Sequence, residues 1–129
     1  MENEIKRGEV WYLKFNDSVG FEESVGRPAV VVSSEEGLGT TPIIQVVYMT
    51  TTPKKGGSVV ELFTPKKRSW ALCNQIVSVD RSRFLSYLCT LNEQEMLKIE
   101  LGLRKVLALP VKDSELEEQI EGLNSELAR

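Results

Sequence analysis

An arginine and a threonine, near the ends of two predicted neighbouring strands, are the residues best placed to do chemistry. Residues 27–33 and 43–49 are short runs rich in valine and isoleucine, and the glycines and proline between them are typical of a turn. If the runs pair as a hairpin with Ser33 opposite Ile44, Arg27 lies opposite Thr50. Facing residues in such a pair have Cα atoms about 4.5–5.5 Å apart. A guanidinium and a hydroxyl at that spacing could hold a phosphate or another oxyanion.

Each of these residues also has an ordinary structural interpretation. An arginine at a strand start can simply make a surface ion pair. Threonine suits strands because it is β-branched, and on that ground we assign Thr51 and Thr52 to structure. Only Arg27 and Thr50 therefore form the predicted reactive pair.

Two basic segments could extend such a site along a phosphate backbone. The first contains Lys54 and Lys55, and the second, predicted to be a turn, contains Lys67 and Arg68. Solvated loop tips are the alternative. If both segments lie on the face of Arg27, they form a local basic groove able to bind nucleic acid.

Aromatic and polar side chains nearby could contact bases. Phe21, in a polar loop, and Trp70 could stack on them, although Trp70 could equally pack in the core. Gln75 interrupts an apolar strand, so it either satisfies a buried backbone group or faces a site at the sheet rim. Ser78 lies three residues further along that strand.

Composition excludes several classes of function. The chain has 129 residues, no histidine and a net charge of −3, which argues against a general nucleic-acid coat. The cysteines Cys73 and Cys89 lack CxxC spacing, so we expect no metal site, and we expect both thiols to be reduced and buried. We find neither a secretory signal nor an apolar run of about 18 residues, and expect a cytoplasmic protein without a membrane segment.

The elements that must position these residues are short strands. Besides the hairpin, strands are predicted over residues 9–15, 58–63, 70–73 and 75–80, with a possible bulge near Asn74. This spacing favours a small, closed, mostly antiparallel barrel. The polar segment 16–26 is either a binding or gating loop or a solvated insertion.

Helical periodicity follows the strands. Residues 92–109 are predicted to form a helix that begins at Asn92, has a capping box with Glu95 and stops at Pro110. Residues 114–127 are predicted to form a second, mostly charged helix with a narrow apolar seam, which either docks on a partner, a second copy or the body, or remains a frayed tail. We therefore divide the chain into a domain over residues 1–110 and a helical tail over residues 111–129.

Four motifs together resemble one known family. In chain order they are KRGEVWY, GFEESVGRPAVVVS, PIIQVVYMTTTP and ALCNQIVSVDRSRF. In combination they are similar to the MazF/PemK toxin endoribonucleases of type II toxin–antitoxin systems, over residues 5–109. The resemblance implies an SH3-like barrel with a C-terminal helix, a homodimer with a shared groove for single-stranded RNA, and a cognate antitoxin with an acidic disordered segment.

The resemblance also implies roles for individual residues. The family's catalytic arginine and threonine fall on Arg27 and Thr50, and its loop glutamate falls on Glu22. The amide and hydroxyl of its substrate-lining motif fall on Gln75 and Ser78.

A second match, to the D-x-x-R pattern, falls on Asp80 and Arg83, which we interpret as bracing a strand-to-helix turn. The implied reaction is RNA cleavage by the substrate's own 2′-hydroxyl, which requires no metal, cofactor or histidine. Two alternatives use the same fold. One is an inactive RNA- or partner-binding module, and the other is a gyrase inhibitor like CcdB, whose terminal Trp-Gly-Ile has no match at the end of this sequence.

Overall fold

A single antiparallel sheet forms the body of the protein in a computed structural model, which describes residues 4–14, 26–64, 67–110 and 121–122. A short 3-10 turn, Arg81–Arg83, links the last two strands. The strands and helices are β1 (Glu9–Lys14), β2 (Gly26–Val31), α1 (Glu35–Leu38), β3 (Ile43–Thr50), β4 (Val59–Thr64), β5 (Lys67–Asp80), β6 (Phe84–Thr90) and α2 (Glu93–Leu107).

The six strands follow the order β4-β5-β3-β2-β1-β6, and all their pairings are antiparallel. Within the described residues β4 and β6 are the outer strands and do not pair with each other. The predicted mostly antiparallel fold with a C-terminal helix is thus confirmed. The predicted closure by hydrogen bonds is not observed, so the barrel description holds only loosely.

Each face of the sheet carries its own apolar cluster, because successive side chains of a strand point to opposite faces. One cluster includes Val30, Val47 and Ala71, and α2 covers it with Met96 and Ile99. The other cluster lies on the opposite face and contains Ile5, Trp11, Leu13, Ala29, Val31, Leu38, Ile44, Val46 and Val79. Burial on both faces fixes the register of the central strands.

The hairpin of β2 and β3 has the predicted register. Ala29 pairs with Tyr48 and Val31 with Val46, and continuing this register places Arg27 opposite Thr50. The connection, predicted to be a simple turn, contains the one-turn helix α1. Helix α1 is stabilised at its start by Ser34, the N-cap, whose side chain accepts a hydrogen bond from the backbone N–H of Gly37.

Strand β5 is longer than predicted and bends where a bulge was expected. It begins at Lys67, so Lys67 and Arg68 lie in a strand rather than in a turn. Val47 of β3 pairs with Ile76, whereas Met49 pairs with Ala71. Tyr48 alone on β3 therefore faces residues 72–75 on β5, which confirms an irregularity near Asn74.

Strand β6 was not predicted from the sequence, which instead indicated a strand-to-helix turn after β5. Asp80 does cap the 3-10 turn by accepting a hydrogen bond from the Ser82 N–H at 2.8 Å, and this bond is the main cause that lowers the pKa of its carboxyl. Arg83 donates to the Lys14 carbonyl oxygen at 2.7 Å. The bracing role is therefore present, but the turn leads into an edge strand. The sequence pattern of this strand is weak because, among the described residues, it pairs with β1 alone and leaves Leu85 exposed, so it lacks a clear alternation.

Helix α2 begins as predicted. The Asn92 side chain accepts a hydrogen bond from the Glu95 N–H at 2.8 Å, and Glu95 accepts one from the Asn92 N–H, which completes the capping box. The helix ends at Leu107, where Ala108 adopts a left-handed conformation, two residues before Pro110. The predicted helix over residues 114–127 lies outside the described part of the chain except for residues 121–122. No helix in the described ranges is long and apolar enough to span a membrane.

The two cysteines are free thiols in different environments. Cys73 is buried, and burial raises the pKa of its thiol to about 11. Cys89 is only partly buried, which corrects the expectation that both are interior residues. A Cβ placed on Gly102 of α2 would lie 2.6 Å from the Cys73 sulfur and 3.2 Å from Val60, so α2 packs on β5 at a distance that only glycine permits.

We predict that Gly102→Ala lowers the free energy of unfolding, measured by urea denaturation, by about 1 kcal/mol. Overpacking costs about 1–3 kcal/mol, and the higher helix propensity of alanine relative to glycine offsets up to about 1 kcal/mol of this. In a Cys73→Ala background the same substitution should cost clearly less, because the clashing sulfur is gone. Gly57→Ala is the control, since a Cβ there meets no atom within 4 Å. Equal losses in both backgrounds would contradict this account of the contact.

Candidate active site

Arg27 and Thr50 share one face of the sheet. Arg27 alternates with Ala29 and Val31, which belong to the second apolar cluster, and Thr50 follows Tyr48, which packs against that cluster. Both residues are partly exposed and line one open depression of about 340 Å³ at the end of the strands. The hairpin register therefore brings a guanidinium and a hydroxyl to the same pocket.

The guanidinium of Arg27 is held by two side chains. Its central carbon lies 4.6 Å from the centroid of the Tyr48 ring, which is a cation–π contact. One terminal nitrogen donates to the Gln75 side-chain oxygen at 3.3 Å. No carboxylate among the described residues forms an ion pair with Arg27. Its charge is thus oriented but is not neutralised by a described acid.

The hydroxyl of Thr50 is oriented by its own chain. Its oxygen accepts a hydrogen bond from the backbone N–H of Thr52 at 3.1 Å. A hydroxyl that accepts in this way can still donate its proton to another oxygen. Thr50 is thus able to donate a hydrogen bond to an anion in the depression.

The structure separates the two basic segments. Lys54 and Lys55 are exposed and line the depression with Arg27. Arg68 lies instead in a neighbouring cleft, which Lys54 and Lys55 also line. Lys67 is exposed and lines neither space. Lys54 and Lys55 therefore lie beside Arg27, Arg68 lies in the adjoining cleft, and Lys67 belongs to neither space.

Of the remaining predicted site residues, one lines the depression, one lies away from it and two are not described. Gln75 is exposed and lines the depression, because the irregular segment of β5 turns it towards Arg27. Ser78 lies further along β5, where its hydroxyl accepts a hydrogen bond from the Gln45 amide at 3.1 Å, and it does not line the depression. Phe21 and Glu22 lie outside the described residues.

Sequence reasoning missed several residues of the site, among them Thr52, which it assigned to structure and which lines the depression. Asn74 lines the depression beside Gln75, and its position depends on the irregular pairing of β5. Tyr48 contacts Arg27 from the neighbouring strand. Tyr48 could have been found, because the predicted hairpin register makes it a diagonal neighbour of Arg27 on the same face.

Comparison with known proteins identifies the class to which this fold and pocket belong, namely small toxins built on an antiparallel sheet with a C-terminal helix. Residues 6–107 match the family of PemK-like, MazF-like toxins of type II toxin–antitoxin systems. The match covers most of the chain, and the chain belongs to this family.

Individual relatives agree with this assignment. The chain is similar to Endoribonuclease EndoA of Bacillus subtilis (strain 168), with 27% identity over 111 residues that cover 81% of this chain and 96% of the relative. Its fold is similar to that of MazF from Deinococcus radiodurans, with a TM-score of 0.70, 24% identity, and coverage of 84% of this chain and 100% of the other. It is also similar to an endoribonuclease solved in complex with its cognate antitoxin from Mycobacterial species, with a TM-score of 0.70, 21% identity, and coverage of 82% and 97%.

We predict that Arg27→Ala changes the free energy of unfolding by less than about 1 kcal/mol, because an exposed cation–π contact contributes only about 0.5–1 kcal/mol. Arg83→Ala is the comparison, since that side chain donates to a backbone carbonyl in a partly buried site and its loss should cost about 1–3 kcal/mol. Urea denaturation of both variants measures the difference. A larger loss for Arg27→Ala than for Arg83→Ala would mean that Arg27 is a structural residue.

Proposed function

We propose that this toxin is a metal-independent endoribonuclease that cleaves single-stranded RNA in a sequence-specific way and thereby inhibits translation and growth. The observation that carries the proposal is the shared pocket of Arg27 and Thr50, with Lys54 and Lys55 at its rim. A guanidinium and a hydroxyl that face one space are suited to a phosphodiester, and the flanking lysines are suited to the adjoining phosphates. The likeness to Endoribonuclease EndoA supports the same activity.

The reaction we propose uses a nucleophile within the substrate. The 2′-oxygen of one nucleotide attacks the adjacent phosphorus, so a 2′-O–P bond forms and the bond to the 5′-oxygen breaks. The products are a 2′,3′-cyclic phosphate and a free 5′-hydroxyl. The 2′-hydroxyl loses its proton, and the leaving 5′-oxygen gains one.

The roles of the side chains follow from their positions. Arg27, held by Tyr48 and Gln75, stabilises the negative charge that develops on the phosphoryl oxygens. Thr50 donates a hydrogen bond to one of those oxygens. The role of Glu22, which lies outside the described residues, rests on the family resemblance alone: it acts either as the base for the 2′-hydroxyl or as a group that orients Arg27. Because the sequence contains no histidine, the acid and base must come from other residue types.

The partners we propose are a second copy of the chain and a cognate antitoxin with an acidic disordered segment. The exposed side chains Leu85, Tyr87 and Leu88 on the outer strand β6 are a described surface suited to self-association. Similarity to the solved structure of an endoribonuclease in complex with its cognate antitoxin supports the second partner. We place this activity in the cytoplasm, where single-stranded messenger RNA is available.

Removal of either reactive group should slow cleavage without unfolding the protein. Arg27→Ala is expected to abolish detectable cleavage, and Thr50→Val to slow it roughly 10²–10³-fold, the usual loss for one transition-state hydrogen bond. The measurement is the rate at which a labelled RNA is cut by the purified protein.

Thr41→Val is a matched control for Thr50→Val. The Thr41 hydroxyl accepts a hydrogen bond from the Ile43 N–H at 3.1 Å, which repeats the local geometry of Thr50 at the other end of β3. The control should cleave at the wild-type rate. If Thr50→Val and Thr41→Val behave alike, Thr50 has only a structural role.

Attack by the substrate's own 2′-hydroxyl can be tested by removing that hydroxyl. When the nucleotide 5′ to the cut carries a 2′-deoxyribose, cleavage at that bond should stop, while products from the ordinary RNA should end in a cyclic phosphate. Gel analysis and mass spectrometry of the ends measure both. Persistent cleavage of the deoxy substrate would indicate attack by water. Binding of RNA without any cleavage would favour the inactive binding module, and inhibition of gyrase without either would favour the CcdB-like alternative.

A further inference from the structure

A second aromatic and basic surface lies beside the reactive pocket, on the hairpin of β4 and β5. Trp70 of β5 pairs with Thr50 on one side and with Glu61 of β4 on the other. Paired residues of adjacent strands point to the same face, so these three side chains form one row across the sheet. The next row outward is the pair Phe63 and Arg68. Because neighbouring strands are about 4.8 Å apart, the first row extends about 10 Å across the sheet from Thr50 to Glu61.

Phe63 is the most exposed large apolar side chain of this surface. Its exposed fraction is 63%, whereas its neighbours Val60 and Leu62 are buried in the core on the other face. Glu95 anchors the strand here by accepting a hydrogen bond from the Phe63 backbone N–H at 3.0 Å. The ring is therefore carried on a fixed backbone and is largely exposed to solvent, as a stacking residue must be.

The guanidinium of Arg68 lies over two aromatic rings. Its guanidinium carbon lies 5.8 Å from the centroid of the Phe63 ring and 5.6 Å from that of Trp70. Two of its nitrogens bind one carboxylate oxygen of Glu61, at 2.6 Å and 2.5 Å. These contacts restrict the side chain, so its planar group adds a second flat surface next to Phe63.

The surroundings of these rings are basic although the protein is acidic. The cleft, about 820 Å³ in volume, is lined by the four cationic side chains Lys54, Lys55, Arg68 and Lys98 and by one carboxylate, Glu61. The whole chain, by contrast, has a net charge of −3. Lys54 and Lys55 line this cleft and the reactive depression alike, so the two spaces are contiguous.

We propose that this cleft is a base-stacking subsite for the RNA strand that is cut at Arg27 and Thr50, with Phe63 as the stacking residue and Arg68 as its support. The inference rests on the proposed function and adds Phe63 as a residue that holds the RNA strand beyond the cleavage site. A single-stranded nucleic acid matches both features of the cleft, because it carries phosphates for the lysines and flat bases for the exposed ring of Phe63, whereas Trp70 is buried. An acidic peptide matches the charge but does not require an open aromatic face.

The test compares Phe63→Ala, Phe63→Leu and Phe63→Tyr with the wild-type protein. Binding of fluorescently labelled 12-nucleotide RNAs of random sequence, made uncleavable by 2′-O-methylation, is measured by fluorescence anisotropy. Loss of one stacking contact should weaken binding by about 5- to 150-fold in the Ala and Leu variants, whereas Phe63→Tyr keeps the ring and should bind like the wild type. Phe63 is mostly exposed, so urea denaturation should show that all three variants remain folded.

A second measurement uses substrates of two lengths. The value of kcat/KM for a long RNA should fall in Phe63→Leu, whereas that for a dinucleotide, too short to occupy both spaces, should be unchanged. Leu107→Ala, at an exposed site at the end of α2, is the control and should change neither value. Equal binding by Phe63→Leu and the wild type would overturn the proposal.

Two further outcomes would also overturn it. One is a dinucleotide affected as much as the long RNA, and the other is a loss of binding to a polyglutamate peptide without a loss for RNA, which would assign the cleft to a protein partner. The binding assay does not require cleavage. A protein that binds RNA through Phe63 but never cuts it would contradict the proposed endoribonuclease and leave the subsite supported.

Discussion

The side-chain register of three neighbouring strands, β2, β3 and β5, is the constraint on which both surfaces depend. The strands carry buried residues on both faces, so a slip by one residue would exchange the side chains that pack in the two apolar clusters. The same slip would carry Arg27 away from Thr50. The same register therefore sets both the packing of the core and the placement of the reactive groups, because both depend on which side chains alternate to which face of the sheet.

The charge distribution shows how an acidic chain can present a basic surface. Arg7 and Arg68 pair with Glu100 and Glu61, whereas Arg27 has no described acidic partner and rests on an aromatic ring and an amide. These neutral contacts orient the guanidinium without cancelling its charge. Its positive potential remains available to an anion, which is what binding to a phosphodiester requires.

The irregular segment of β5 links the two surfaces. On one side of it Trp70 pairs with Thr50, and on the other side Ile76 pairs with Val47. Residues 72–75 between them leave the regular ladder with β3, which turns Gln75 towards Arg27. A bulge of this kind redirects side chains without breaking the sheet. The sequence indicated irregularity near Asn74, but the direction in which the side chains turn depends on the strand alongside.

The sequence by itself determined the hairpin register that puts Arg27 opposite Thr50, and the capping box at Asn92. These features depend on alternation and on hydrogen bonds between residues close in the chain, so local patterns carry them. Only the tertiary structure decided that β5 lies between β3 and β4, which brings Phe63 and Arg68 beside Thr50. It alone also revealed the edge strand β6 and the helix within the hairpin connection. Strand order and edge pairing arise from contacts between distant segments and from the packing of α2, and such contacts leave no periodic trace in a single sequence.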